Sequence, residues 1–140
     1  MKVYISGKIG EETPSTDTLA KFERAERMLK ARGHEVFNPT RSGLGAVADK
    51  RVRNARKRGD STTWYAEILK LDIAKLSFCD AIYLLDDWSK SPGARVEKDF
   101  AVAVGKELYF EDPMEALFHA NDDEKEFCRL WLPINDNERL

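Results

Sequence analysis

Apolar positions along the chain alternate between short continuous runs and runs with a helical period. Lys2–Ser6 form a brief apolar segment that opens into Gly7-Lys8-Ile9-Gly10 and a polar stretch to Asp17 containing Pro14, which predicts a strand followed by a loop. Leu19, Phe22, Ala25 and Leu29 then recur at steps of three and four, with Lys30 and Arg32 in the last turn and Gly33 beyond it. That is the pattern of an amphipathic helix with a C-terminal stop. Residues 35–38 give a second short strand closed by Pro39, and residues 40–60, with Gly43, Gly45, Gly59 and many cations, predict a loop holding a short helix. From Thr62 or Thr63 the positions Tyr65, Ile68, Leu69, Asp72 and Leu76 mark a second strong helix. Residues 81–85 are almost wholly apolar between Asp80 and Asp86-Asp87, as a central strand covered on both faces must be. A turn-rich connection follows, then a third helical face of Ala94, Glu97, Phe100, Ala101 and Val104 ending at Gly105, then a strand at Glu107–Phe110. Beyond Pro113 the chain reads as helical at first and polar at its end.

Strands that alternate with helices require βαβ units. The predicted architecture is therefore α/β, a three-layer doubly wound (Rossmann- or flavodoxin-like) sandwich around a parallel sheet of four to five strands. In such sheets ligands sit beyond the carboxyl ends of the strands, where helix N-termini present free N–H groups. Residues 6–10 and 88–93 occupy that position.

With 140 residues, 42% of them hydrophobic and 34% charged, the chain fits one soluble globular domain spanning 1–140. No apolar run approaches the roughly 18 residues of a membrane span, and the N-terminus enters a strand without a signal-peptide pattern, so a cytoplasmic location and no membrane partner are expected. Cys79 and Cys128 lack metal or disulfide spacing and are expected to be reduced and structural. His34 and His119 are isolated, His34 at the end of a helix where the dipole favours it. No metal or cofactor is expected. The net charge of −2 conceals an asymmetry: residues 1–70 carry 15 basic and 9 acidic side chains, residues 71–140 carry 8 and 16. Much of the positive charge lies in Arg41, Lys50, Arg51, Arg53, Arg56, Lys57 and Arg58, which fits either a solvated helix face or a surface for anions.

Two acids break the apolar pattern. Glu97 shares a helical stripe expected to face the sheet with Gly93, Ala94, Phe100, Ala101 and Val104, and Asp72 is flanked at helical spacing by Tyr65, Ile68, Leu69 and Leu76. An ionised carboxylate buried without partners is strongly unfavourable, so each acid must pair with a cation, accept hydrogen bonds, or face a polar cavity with a shifted pKa. Tyr4, near the end of the first strand, is a core residue or a phenol that orients such a carboxylate.

Four ordered blocks carry a resemblance: Val3-Tyr4-Ile5-Ser6-Gly7 with its loop; Gly33-His34-Glu35-Val36-Phe37-Asn38-Pro39; Asp72 through Cys79-Asp80-Ala81-Ile82-Tyr83-Leu84-Leu85; and Trp88 through Ser91-Pro92-Gly93-Ala94-Arg95-Val96-Glu97. From Met1 to about Phe110 the chain resembles the nucleoside 2-deoxyribosyltransferase-like superfamily, most closely a branch of small bacterial and phage domains, and is also similar to its nucleoside 5′-monophosphate N-glycosidases. Residues 111–140 form a C-terminal extension. The resemblance implies that Glu97 attacks C1′ and forms a covalent glycosyl-enzyme, that Tyr4 holds this nucleophile, and that Asp72 contacts the sugar or helps protonate the departing base. It implies that Ser91 and Gly93, together with Gly7, Lys8 and Ile9, receive a 5′-phosphate, since free-nucleoside transferases usually carry an aspartate where Ser91 stands. The chain lacks the further arginine of that first loop and has Pro92 and Arg95 in the last block. A homo-oligomer is also implied. The expected activity is hydrolysis of the N-glycosidic bond of a (deoxy)nucleoside 5′-monophosphate. The alternatives are nucleobase exchange by a deoxyribosyltransferase, or a nucleotide-binding module without chemistry. Nucleic-acid binding through Lys50 to Arg58, with Trp64 and Tyr65 stacking on bases, ranks last and nucleic acid is not an expected partner.

Overall fold

The computed structural model describes residues 1–10 and 13–115. In chain order the elements are β1 (Lys2–Ser6), α1 (Thr16–Ala31), β2 (Glu35–Phe37), a 3₁₀ turn (Pro39–Arg41), α2 (Leu44–Lys57), α3 (Trp64–Ser77), β3 (Ala81–Leu84), a second 3₁₀ turn (Trp88–Lys90), α4 (Pro92–Ala103) and β4 (Glu107–Phe110). The four strands form one parallel sheet in the order β2-β1-β3-β4. Tyr4 lies opposite Phe37 on one side and Ile82 on the other, and Ser6 opposite Leu84.

Local chemistry explains the boundaries. Ser15 caps α1 by accepting from the Thr18 N–H at 3.2 Å, and Thr63 caps α3 by accepting from Ala66 at 3.1 Å. Pro92 supplies the first turn of α4, where its missing N–H costs nothing. The chain steps from β1 out to β2, then back across to β3 and β4, so right-handed crossovers put α1 on one face of the sheet and the later helices on the other. Side-chain alternation in β1 follows suit. Val3 and Ile5 pack with Phe22, Ala25 and Leu29 of α1, while Tyr4 packs with Leu76 of α3 and with Ala94 and Ala101 of α4. The predicted three-layer sandwich is the observed one, with four strands.

The greatest departure from the pattern lies in residues 40–60, where the expected loop with a short helix is a 14-residue helix, α2. Its buried residues are Ala48, Val52 and Ala55, a stripe of small side chains between cations, too weak a signal to set the helix limits. It packs on α3. Val104, read as part of the buried stripe of α4, lies past the helix end and is exposed, as is Leu19 of α1. Cys79 is buried, its thiol donating to the Lys75 carbonyl at 3.4 Å, and His34 Nδ1 lies 3.2 Å from the N-terminal amine. Cys128, His119 and the tail from residue 116 onward lie outside the described residues. Among the described residues no helix is long and apolar enough to cross a membrane.

The sheet order reverses between β1 and β3, and the chain leaving each strand there is tightly fitted. A Cβ on Gly7 would sit 2.7 Å from Cδ1 and 3.0 Å from Cβ of Leu85, a fully buried residue. Gly7→Ala is expected to destabilise the fold by about 1–3 kcal/mol through overpacking. Urea unfolding checks this: an unchanged midpoint would show that the approach of the β1 and β3 ends is looser than described.

Candidate active site

The crevice at the switch point opens into a cavity of about 410 Å³, within the range of small-molecule sites. Its floor is Glu97 on α4 and Asp72 on α3; Gly7, Ile9 and Gly10 come from the loop after β1, and Ser91, Gly93 and Ala94 from the start of α4. Thr63, the N-cap of α3, and Trp64, Tyr65, Ile68 and Leu69 of α3 form a largely apolar wall. Gly93 has a steric reason to lack a side chain, since a Cβ there would lie 2.5 Å from the Tyr65 hydroxyl.

Glu97 is buried, and β1 answers it with two donors. The Tyr4 phenol donates to Oε2, and the Ser6 hydroxyl donates to Oε1 at 2.8 Å. Tyr4 is itself fully buried and stacked on Phe37 with ring centroids 5.3 Å apart, so the phenol has little freedom. Ser6 was not singled out from the sequence as a site residue. The signal was available, because a period of two in a strand puts Ser6 on the same face as Tyr4.

Asp72 is the opposite case: its Oδ1 is buried and has no hydrogen-bond partner among the described residues. Burial, reinforced by the nearby charge of Glu97, pushes the Asp72 carboxyl up to about 8. Burial raises Glu97 to about 7 against the lowering effect of its bonds from Tyr4 and Ser6. Burial, with the charges of Glu97 and Asp72, also holds the Tyr4 phenol well above its ordinary value, so it remains a donor.

Two other buried acids provide the contrast. Glu26 meets Lys30 at 2.7 Å, Asn38 at 3.0 Å and Arg41 at 3.4 Å, and these partners outweigh its burial and lower its pKa. Glu67 meets Lys70 at 2.7 Å and Thr62 at 2.6 Å, and is lowered by both. Neither Asp72 nor Glu97 has an ion-pair partner among the described residues. Glu26 and Glu67 are acids held by cations; Asp72 and Glu97 line one cavity, where the charge of Glu97 helps to raise Asp72. Such a pair shares protons, and the two donors on Glu97 favour the negative charge there and the proton on Asp72.

The residues expected to receive phosphate divide. Ser91 is the N-cap of α4, its oxygen accepting from the Ala94 N–H at 3.2 Å, and it lines the cavity. Gly93, Gly7 and Ile9 line the cavity. Lys8 does not: its side chain is exposed and its backbone N–H donates to Asp87 Oδ1 at 3.0 Å. Lys21 of α1 reaches the same junction, pairing with Asp87 and donating to the Lys8 carbonyl at 2.6 Å. This clasp fixes the loop that carries Gly7, Ile9 and Gly10. Among the described residues there is no group of three His, Cys, Asp or Glu side chains placed to hold a metal ion.

The DUF4406 family, described as a domain of unknown function, matches residues 1–110. The chain belongs to this family. Among solved structures the DUF4406 chain is similar to a 2-deoxyribosyltransferase from the psychrotolerant bacterium Bacillus psychrosaccharolyticus. The TM-score is 0.52 at 18% sequence identity, over 79% of this chain and 71% of the other. At that identity the likeness is one of fold: the DUF4406 domain has a nucleoside 2-deoxyribosyltransferase-like fold, as its motif blocks predicted.

The raised carboxyls fix the sign of a stability effect. A carboxyl whose folded pKa exceeds its unfolded value contributes stability fully at low pH and loses it as pH rises through the folded value. For Asp72 this window runs from about 4 in the unfolded chain to about 8 in the fold. Asp72→Asn is expected to be near neutral for stability at or below pH 4 and increasingly stabilising above it, by about 1–3 kcal/mol at pH 8 to 9, the usual penalty of an unpartnered buried polar group. Denaturant midpoints of both proteins across pH decide it, and a gain that does not grow with pH would contradict the assignment.

Proposed function

We propose that this chain cleaves the N-glycosidic bond of a nucleoside 5′-monophosphate, with Glu97 as nucleophile and Asp72 as the acid that protonates the departing base. The observation that carries this reading is the asymmetry of the pair: one buried carboxylate held by two hydroxyls, the other with a buried oxygen that has no hydrogen-bond partner among the described residues, both opening on one cavity. Cleavage at an anomeric carbon passes through an oxocarbenium-like state that needs an adjacent anion, and the base leaves well only when it gains a proton. An oxygen of Glu97 bonds to C1′ as the C1′–N bond breaks, and the Asp72 proton passes to the base. Water then attacks C1′ and releases the sugar, with Asp72 taking a proton from the water. Tyr4 keeps the carboxylate aimed throughout.

The 5′-phosphate is assigned to the start of α4, where the Ser91 hydroxyl and the Gly93 N–H border the cavity at the positive end of the helix dipole. Lys8 is left with a backbone role there. Nucleobase exchange shares the first half of this reaction and differs in the acceptor. The apolar wall of Trp64, Ile68 and Leu69 favours it to the extent that it keeps water from the glycosyl-enzyme.

Nucleosides and their 5′-monophosphates, ribose and deoxyribose, with and without a second base, form the test panel, and free base is measured. Release is expected from the monophosphates, and Glu97→Gln is expected to lower it on the order of 10³-fold or more. Saturable nucleotide binding with no base release, unaltered by Glu97→Gln, would replace the enzyme with a binding module. The pH profile of kcat/KM is expected to be a narrow bell, falling on the acid side as the pair gains a proton near 7 and on the alkaline side as it loses one near 8. Asp72→Asn should lose the alkaline limb and about 10²–10⁴-fold in kcat. An alkaline limb that survives in Asp72→Asn would assign the acid elsewhere.

A further inference from the structure

We infer that Ser6 is a positioning residue for Glu97, its hydroxyl holding Oε1 while Tyr4 holds Oε2, so that the carboxylate is fixed by two adjacent same-face positions of one strand. The inference rests on the proposed role of Glu97 as nucleophile, and its structural half stands without it.

Three observations converge. The Ser6 hydroxyl donates to Oε1 at 2.8 Å, and both side chains are buried, so water does not compete for the bond. Tyr4 and Ser6 are two residues apart in β1 and therefore project from the same face, and β1 is an inner strand bonded to β2 and β3, which makes their spacing rigid. A carboxylate held at one oxygen can still swing about that contact, whereas one held at both oxygens from the same strand cannot. For attack on C1′ this matters because small misplacements of a reacting group are costly.

The contacts also separate the roles of the two donors. Tyr4 is a large core side chain stacked on Phe37, so its removal opens a cavity as well as breaking the bond. Ser6 contributes little beyond its hydroxyl, and Ser6→Ala deletes one oxygen from a site otherwise kept. Among the described residues the titratable groups that face Glu97 are Tyr4 from β1 and Asp72 from α3, and neither can replace the lost bond to Oε1. Tyr4 is committed to Oε2, and a protonated Asp72 is the acid of the reaction.

Two readouts test this on the full chain. In the first, the Glu97 side-chain carboxyl is labelled with ¹³C and titrated by NMR without ligand, assigned by its absence in Glu97→Gln. Ser6→Ala is expected to move the midpoint up by half a unit or more, and Ser6→Thr, which restores a hydroxyl, to return it toward wild type. In the second, base release from the best substrate of the panel is followed across pH. Ser6→Ala should lower kcat about tenfold at the optimum with KM changed less than twofold, and its acid limb should shift to higher pH. A Glu97 titration unmoved by Ser6→Ala overturns the contact. A titration that moves while kcat and the acid limb do not overturns the positioning role. If the wild-type chain releases base from no substrate, the proposed function fails, and the titration still decides the Ser6 contact.

Discussion

A carboxylate on the sheet-facing side of a helix stays charged only if the sheet supplies donors, and the geometry of this site follows from how β1 does so for Glu97. Two hydroxyls at alternate positions must point at α4, which commits Val3 and Ile5 to the other face and hence to α1. β1 has to be an inner strand, since its backbone bonds to both β2 and β3 hold that spacing. The first turn of α4 also passes close to α3, where Gly93 leaves room for the side chains of Tyr65 and Leu69. Asp72 then acquires its character from the same source. Placed near a carboxylate already satisfied by β1, with no cation of its own, it is better off keeping its proton.

Much of this was legible in the sequence because it is written in periodicity. The strand-helix alternation and the central position of β3 come from apolar side chains at regular intervals, and in α4 the stripe is one of small residues, Gly93, Ala94 and Ala101. Asp72 and Glu97 stood out as interruptions of the helical stripes. Spacing alone, however, reports burial and says nothing of the partner. Glu26 sits on the Phe22, Ala25 and Leu29 face of α1 in the same relation, and only the structure shows Lys30, Asn38 and Arg41 around it. Whether a buried acid is paired or poised is decided by residues distant in sequence.

The less legible parts have physical reasons too. α2 buries two alanines and a valine, and its cations advertise solvent more loudly than those residues advertise a core. Its glycines add to the confusion: Gly43 takes the left-handed conformation just before the helix, with φ of 73°, whereas Gly45 lies inside it, beside the Trp64 ring. Lys8 illustrates a different limit. A lysine in a loop at the end of β1 suggests an anion by position, yet the backbone of that loop is turned toward Asp87 and the side chain faces out.

The junction of Lys21, Asp87 and the Lys8 backbone ties together three parts of the chain: a helix on the far side of the sheet, the turn after β3 and the rim of the cavity. The two sides of the sheet are therefore mechanically joined at the rim. A change at Lys21, remote from any ligand and invisible to a search confined to the cavity walls, alters the rim as directly as a change in the rim itself. Divergence among relatives of this fold can enter through the back of the sheet, with selectivity drifting while every cavity-lining side chain is retained.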